Sequence, residues 1–513
     1  MNVLDRLIGV FSPENGLRRA NARAMLDQVD KRYGAARTGR RNKGWSGRGT
    51  SANVEVGQAL ATLRNRAREF VRDSWAGQRI LDVLVSHVVG TGINVVPNTG
   101  SDRADRQFNL VREEWQEQAD VEGVLDEGTM QGLALRSMVE GGDTVIRMID
   151  LPMNRANGTV PFRLLGLEGD QIDTRHDSRL GVVGERLGVQ LGDWGRREGL
   201  WLFEQHPGEQ GYTGNFNSQL VAWNDLCHLY RPLRWGQVRG ITWFACLLLT
   251  GREMQDLTEA AIVQARTQAC FAAFMKRQPG QPSPFATQSG QGEAGEAQKV
   301  TRIEPGMVAD IGESDIVFAN PSSQSQFGAV YIAGMQAMAA GAGITYDQLT
   351  GDLRQANYSS LRAGKIEFRR LVEQIQWHIM APRLVAPTTR RFIDRAIIAG
   401  LLPARKDGYP FDINMPANEP IDPQKDLDAD IAAVRAGRMS PQEFISAWGR
   451  DWRKVVADTK TFFETVDAAK LALDIDGRRP ARGGAMIAAT GAPEETGAQK
   501  PGQSGQQQDN ANA

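Results

Sequence analysis

Histidines, cysteines, carboxylates and glycine-rich turns are the parts of this sequence that could support catalysis or hold a ligand. The histidines are His87, His176, His206, His228 and His378. None has a second ligand at the spacing of a metal-binding motif, and no H-E-x-x-H occurs. His228 follows Cys227 on a predicted strand, where consecutive side chains point to opposite faces, so the two cannot easily hold one ion. We interpret each histidine as a structural or surface residue and expect no metal site.

A glycine motif lies in the middle of the chain. Gly290, Gly292 and Gly295 spell G-x-G-x-x-G, the pattern of a dinucleotide-binding turn. Such a turn follows a strand and opens a helix, but here a stretch rich in Pro, Ser and Gln precedes the glycines and more loop follows. We interpret the match as chance. No G-x-x-x-x-G-K-[ST] occurs either, so no cofactor and no P-loop ATPase site is predicted.

Carboxylates gather near residue 425, at Glu419, Asp422, Asp426, Asp428 and Asp430. A two-metal nuclease would bring carboxylates together from several elements. Here Asp422 is explained as a helix cap, and acids in a first helical turn complement the helix dipole. The others can face solvent. We therefore expect no catalytic residue and predict that the protein is not an enzyme.

Composition limits the remaining functions. The 513 residues exceed what one core holds, and 41% hydrophobic with 24% charged residues predicts a mostly folded chain. The net charge of −1 gives no overall sign of nucleic-acid binding. Three cysteines without paired spacing suit a reduced compartment. The N-terminus lacks the features of a signal peptide, and no apolar run approaches the roughly 20 residues that span a bilayer, so no membrane association is expected.

Elements alternate in type along the chain. Residues 1–72 are basic; the part from Gly34 to Ser51 lacks periodicity and is interpreted as a flexible arm, with contact to nucleic acid or an acidic neighbour as the alternative. Residues 57–89 show helical spacing. Strand patterns run from Asp143 to about Arg231, including a hairpin signal at Gly192–Gly195.

The second half is mainly helical. A helix is predicted over 246–277, then a loop with short strands, and helix returns at about 327–340. An irregular connector joins it to a further helix at 360–380. Two capped helices follow, Pro423–Ala436 after Asp422 and Ser440–Trp448 with a capping box. From about Arg478 the composition predicts disorder.

Short motifs occur in a fixed order between roughly residues 60 and 455. They are Leu63–Arg68 with Val89–Ile93; Leu165–Asp170 with Gly188–Gln190, Asp193–Arg196 and His206–Pro207; Arg231–Pro232 with Gly236–Trp243; Leu349–Asp352 with Asn357–Ser360 and Arg362; and Ile421–Asp426 with Ala436–Gly437. As an ordered set they resemble the lambda-type family of phage portal proteins. The stretch NMPANEP before Ile421 departs from the family by lacking tryptophans.

The resemblance implies an α+β portal fold with a wing, a long-helix stem, a small β-containing clip and a helical crown. Its expected divisions are a basic arm (1–56), wing (57–245), stem helix (246–277), clip (278–325), second stem helix (326–344), tunnel loop with wing helix (345–416), crown (417–475) and disordered tail (476–513). The tunnel loop would face a channel, which places Arg354, Gln355, Asn357 and Tyr358 close to DNA.

The resemblance also implies a function. The chain would form a homo-oligomeric ring, a dodecamer in the family, at one capsid vertex, through which double-stranded DNA is packaged and ejected. Its implied partners are the terminase large subunit, the major capsid and scaffolding proteins, and the head-tail completion proteins. It would assemble in the host cytoplasm and remain in the virion. Two alternatives stay open: a DNA-processing enzyme of the packaging machinery, and a capsid or scaffold protein.

Overall fold

A computed structural model describes most of the chain. The described residues are 51–269 apart from 157, 179–183 and 210–216; 273–275 and 308–310; 324–417 apart from 355–357; 422–471 with 473; and scattered positions before 51. They fall into two compact units. Unit 1 comprises Met1–Val88 and Val111–Pro403, and unit 2 comprises Val89–Leu110 and Ala404–Ala513.

Helices dominate the described residues. In chain order the α-helices are α1 (Ala52–Asp73), α2 (Trp75–Val88), α3 (Asp102–Gln116), α4 (Glu127–Gly141), α5 (Leu248–Ala269), α6 (Gln324–Ala342), α7 (Tyr346–Thr350), α8 (Tyr358–Ile375), α9 (Ala386–Ile398), α10 (Pro423–Arg435), α11 (Pro441–Ser446) and α12 (Trp452–Ala468). A 3₁₀-helix, Trp243–Cys246, precedes α5, and a π-helix, Gln376–Val385, joins α8 to α9.

Strands form small sheets between the helices. They are β1 (Asn94–Pro97), β2 (Asp143–Asp150), β3 (Phe162–Glu168), β4 (Glu185–Arg186), β5 (Val189–Leu191), β6 (Arg197–Phe203), β7 (Ser218–Ala222), β8 (Leu226–Tyr230), β9 (Ala273–Met275), β10 (Val308–Asp310) and β11 (Phe411–Asn414). Unit 1 holds an antiparallel sheet of order β3-β2-β8, another of order β4-β5-β6-β7, and the parallel pair β9-β10. In unit 2, β1 pairs antiparallel with β11. The predicted mixture of helices and strands is therefore confirmed.

The core of unit 1 joins both antiparallel sheets to α1. Inward-facing residues of the strands, including Val145, Val189 and Leu200, pack with Val56 and Leu60 of α1. The alternation of apolar and polar residues along these strands predicts one buried face, and that face closes against the helix. The Gly192–Gly195 hairpin is confirmed, because β5 and β6 pair antiparallel across it.

The N-terminal helical stretch, predicted as one helix over 57–89, is two helices. Ser74 takes an extended conformation, with φ −118° and ψ 123°, and ends α1. The chain turns closely there: a Cβ on Gly77 would lie 2.9 Å from the carbonyl oxygen of Phe70. Helical periodicity continues through the break, so the spacing of apolar residues alone does not reveal it.

The long helix predicted over 246–277 is shorter than expected. The α-helix runs Leu248–Ala269, and the chain then forms β9, whose Ala273 pairs with Val308 of β10. Those hydrogen bonds come from residues more than thirty positions later, so local helical propensity could not predict them. The second helix of this pair, expected at 326–344, is observed as α6, Gln324–Ala342.

A proline lies inside the longest helical run among the described residues. The helix predicted at 360–380 begins at Tyr358 and continues through the π-helix into α9, with Pro382 inside the π-helical segment. A proline in an α-helix loses a hydrogen bond and clashes with the preceding turn. The wider π-turn accommodates the ring, and the run therefore continues where a break was expected.

The C-terminal region contains the two predicted capped helices. Asp422 accepts a hydrogen bond from the backbone of Lys425 at the start of α10, and Ser440 forms a capping box with Glu443 at α11. Both predictions are confirmed. Val89–Leu110, assigned above to the wing, groups with the C-terminal residues because β1 pairs with β11. Among the described helices, none is long and apolar enough to cross a membrane.

Candidate functional site

The connector between α7 and α8 is the segment expected to face a channel. α7 is fixed at its start by a capping box, in which the backbone of Thr345 donates to Oε1 of Gln348 at 2.9 Å. It ends at Gly351, whose φ of 70° is the left-handed conformation that favours glycine. Leu349 is buried and anchors the helix. The connector therefore leaves α7 in a defined direction.

Arg354 projects from this connector, but its guanidinium is already paired. It donates from Nε to Oδ1 of Asp352 and from Nη2 to Oδ2, each at 2.9 Å, while its side chain stays 87% exposed. The hydrogen bond from Arg354 lowers the pKa of the Asp352 carboxyl to about 2. The planar guanidinium of Arg354 matches this carboxylate two residues earlier, and its position near DNA stays a prediction.

The remaining predicted channel residues are only partly placed. Tyr358 is the first residue of α8. Gln355 and Asn357 lie outside the described residues. Their role near DNA stays a prediction.

A cationic face on α8 follows the connector and was not singled out from the sequence. Arg362, Lys365 and Arg369 are three and four positions apart, so they share one face of the helix. Phe368 and Val372, three positions after Lys365 and Arg369, are buried beside this face. The spacing of these basic residues was readable in the sequence and would have identified the face.

A buried charge centre surrounds the carboxylate of Asp143 at the start of β2. Arg64 of α1 donates from Nη2 to Oδ1 at 2.9 Å. Arg239 contacts both carboxylate oxygens, with Nη2 3.2 Å from Oδ1. Nε2 of His228 lies 3.4 Å from Oδ2. All four side chains are buried, so the centre joins α1, β2, β8 and the segment after β8 through charges that water cannot screen.

This environment shifts the protonation of its members. Burial alone would raise the pKa of the Asp143 carboxyl, but the charge of Arg239, the hydrogen bond with His228 and the charge of Arg64 hold that pKa well below its usual range. Burial lowers the pKa of His228 to about 4, which Asp143 only partly opposes. At neutral pH the cluster therefore holds an ionised carboxylate, two guanidinium groups and a neutral imidazole.

A second cluster brings together groups that could ligate a metal. One ligand atom from each of Glu168, Asp170 and His206 lies within 4.8 Å of the others. Nη2 of Arg68 contacts Glu168 and lies 2.6 Å from Oδ2 of Asp170, and Nη1 of Arg64 lies 3.3 Å from Oδ1 of Asp170. The two arginines already supply positive charge to these carboxylates. Sequence spacing could not reveal the cluster, since His206 is far from Glu168 along the chain.

The two charge clusters unite motifs that lie far apart in the sequence. Arg64 and Arg68 come from Leu63–Arg68, Glu168 and Asp170 from Leu165–Asp170, and Arg239 from Gly236–Trp243. A family model described as phage portal protein, lambda family, matches residues 38–376. The chain belongs to this family.

One curated relative extends the portal similarity beyond the family model. A probable portal protein of Halomonas phage phiHAP-1 is 24% identical over 442 residues, covering 82% of this chain and 84% of that protein.

Solved structures with a similar chain come from gene transfer agent particles. A chain in the neck of a native particle, computed with C12 symmetry, is 13% identical, with 82% of this chain and 97% of that chain covered and a TM-score of 0.36. A chain in the virion of a native particle is 14% identical, with 79% and 96% covered and the same TM-score of 0.36.

Proposed function

We propose that this portal-family chain forms a homo-oligomeric ring at one capsid vertex, through which double-stranded DNA is packaged and later ejected. The observation that carries the proposal is the family match over residues 38–376. A ring of twelve subunits is the arrangement that the family resemblance implies. The chain would act as a structural component, with energy for DNA movement coming from a separate motor.

Exposed apolar side chains on α5 and α6 support subunit contacts. Leu249, Ile262 and Val263 on α5 are exposed, as are Val330 and Ile332 on α6. A helix normally buries its apolar stripe against another element. A single chain leaves these apolar side chains partly in water, and neighbouring copies in a ring would cover them.

A groove lies beside the same helices. It has a volume of about 380 Å³ and is lined by Trp75, Met254, Ile262, Tyr331 and Met335, among others. Trp75 is half exposed at its rim. Aromatic and methionine side chains are enriched at the buried centres of protein interfaces. The groove therefore supports the assignment of α5 and α6 to the contact between ring subunits.

The connector and α8 supply the proposed DNA contact. Arg354 is exposed but neutralised by Asp352, and Arg362, Lys365 and Arg369 follow on one face of α8. Contacts to phosphate carry no sequence information, which suits a channel that any genome segment must pass. Near-neutral charge also suits this role, because a strongly basic bore would hold phosphates through counterion release.

The proposed partners bind at the two ends and the rim of the ring. The terminase large subunit would dock on the clip, 278–325, most of which lies outside the described residues. Major capsid and scaffolding proteins would surround the ring during assembly in the host cytoplasm, and head-tail completion proteins would bind it in the virion. Replacing 280–324 with a short Gly/Ser linker should spare rings and abolish terminase binding.

Negative-stain microscopy with light scattering tests the ring directly. Purified full-length protein should form rings with a central hole, and its mass should be a multiple of 56.3 kDa near twelve. Light scattering that gives only the monomer mass at micromolar protein concentration, at every salt concentration tested, would contradict the proposal.

A further inference from the structure

An acidic and apolar surface lies beside the outer edge of β3 in unit 1. The backbone of Val121 donates to the carbonyl of Leu164 in β3 at 2.9 Å, so this segment lies along that strand. Around it, Glu117, Glu122 and Val124 are exposed, and Val124 is 78% exposed. We call Glu114, Glu117, Val121, Glu122 and Val124 the acidic edge.

A basic and aromatic surface lies beyond β8. Trp194 and Trp235 are fully exposed, at 105% and 103%. Their loops are adjacent because Nη2 of Arg197, at the start of β6, contacts the hydroxyl of Tyr230 and lies 3.2 Å from the carbonyl of Gln237. We call Trp194, Arg196, Arg231, Leu233 and Trp235 the basic edge.

The acidic edge lies along β3, at one edge of a three-stranded sheet, and the basic edge follows the end of β8, the strand at the other edge. Asp120 bridges to Leu164 of β3, and the sheet order continues β3-β2-β8. Tyr230, the last residue of β8, precedes the basic loop directly. Three strand spacings, about 14 Å, therefore separate the flanking strands. A head-to-tail contact uses two different surfaces of the subunit, since one copy presents the first surface and its neighbour the second.

The basic edge carries features of a protein contact. Trp194 has φ 59° and ψ 19°, a left-handed conformation that bulky residues rarely adopt, and it holds the indole in solvent. Exposed Leu233 beside the tryptophans adds apolar surface that phosphate would not cover. Arg196 forms no ion pair with any described residue. Tryptophan and arginine are also the residues that most often dominate binding energy at interfaces.

We propose that the basic edge of one copy of this chain packs on the acidic edge of the next copy, so that unit 1 forms a second contact around the ring. The inference rests on the proposed ring. Charge complementarity supports this contact, because the basic edge contains arginines and the acidic edge contains glutamates. Exposed apolar side chains lie among the charged residues of both edges. The contact is heterologous, the type that forms a ring when the rotation between successive copies closes.

Removing the tryptophans tests the contact first. Trp194→Ala with Trp235→Ala should raise the protein concentration at half-assembly at least tenfold, because both indoles lose their partner surface. Leu220→Ala with Ile398→Ala, also exposed apolar residues of unit 1, should leave that concentration unchanged. Circular dichroism melting confirms that each variant folds.

Charge reversal gives the sharper test. Glu117→Arg with Glu122→Arg should block ring formation, and so should Arg196→Glu with Arg231→Glu. Mixed in equal amounts, the two variants should restore rings, since each reversed edge then meets a reversed partner. The control Asp428→Arg with Asp458→Arg, both exposed in unit 2, should assemble as wild type.

The outcomes separate this inference from the proposed function. If wild type forms rings and every edge variant assembles equally well, the edges are not a subunit contact and the inference is overturned, while the ring stands. Edge variants that form normal rings but bind less DNA would assign the basic edge to nucleic acid instead, which also overturns it. Wild type without rings would overturn the proposed function itself.

Discussion

At the scale of single residues, Asp143 offers the clearest test of what stabilises unit 1. Its carboxylate balances the buried guanidinium groups of Arg64 and Arg239. Asp143→Asn should lower the free energy of unfolding by roughly 3 to 5 kcal/mol, because two buried positive charges lose their partner. Urea denaturation measures this. Asp73→Asn, which breaks an exposed pair with Arg72, should change stability little; equal losses in the two variants would refute the account.

His228 predicts how stability depends on pH. Its pKa is lowered to about 4 in the folded chain from an ordinary 6.5, so the unfolded chain binds the extra proton between these values. Unfolding free energy should therefore fall as pH drops from about 6.5 to about 4, by on the order of 3 kcal/mol. Because the pKa of Asp143 is also lowered in the folded chain, the unfolding free energy should fall further below about pH 4.

Unfolding free energies measured across that pH window check the assignment to His228. His228→Gln should flatten the slope between pH 6.5 and 4, because the side chain no longer titrates. His378→Gln is a control, since that residue is exposed. A slope that survives in the first variant would show that other groups cause it.

Residues differ in how far the sequence predicts them. Ser440 and Glu443 are three positions apart, so their capping box is a local pattern that can be read directly. Asp143 meets His228 and Arg239 only because β2 pairs with β8 and the following segment folds back. Periodicity predicts that those strands exist, but their order and register depend on the whole core. The buried charge centre around Asp143 could therefore not be predicted from the sequence.

At the scale of elements, the connector and α8 make a prediction about packaging. Arg354→Ala with Lys365→Ala should leave rings intact while altering the length or retention of packaged DNA, independently of genome sequence. Asp352→Ala should act in the opposite direction, because it releases the guanidinium of Arg354 and makes the connector more cationic.

Packaged DNA length and infectious yield measure both effects. Lys406→Ala, an exposed change outside α8, is the matched control. Full-length, normally retained genomes in the Arg354 and Lys365 variant would remove these two residues from the proposed channel.

Elements also show where local reasoning stops. The caps of α10 and α11 were predicted at the correct residues, because capping involves neighbours in sequence. The end of α5 was not predicted correctly, because the strand that follows it, β9, forms by pairing with Val308–Asp310 far along the chain. The helix predicted to end at residue 380 continues instead through a π-helix that contains Pro382.

At the scale of the whole molecule, the C-terminal tail should be dispensable for assembly. Residues 481–513 contain almost no large apolar side chain, and such a composition cannot offset the entropy of ordering. Truncation after Pro480 should leave ring formation and the melting temperature unchanged. Differential scanning calorimetry and negative-stain microscopy measure these. A clear drop in melting temperature would mean that the tail docks on the folded chain.

The pairing of β1 with β11 has a consequence for synthesis. The side chain of Asn98, just after β1, donates to Asp412, 314 positions later. At roughly 5 to 20 residues per second, a ribosome needs about 15 to 60 seconds to make the chain between them. Throughout that interval β1 has no partner. A polypeptide released before residue 411 lacks β11, so the sheet of unit 2 can form only after translation has reached the C-terminal region.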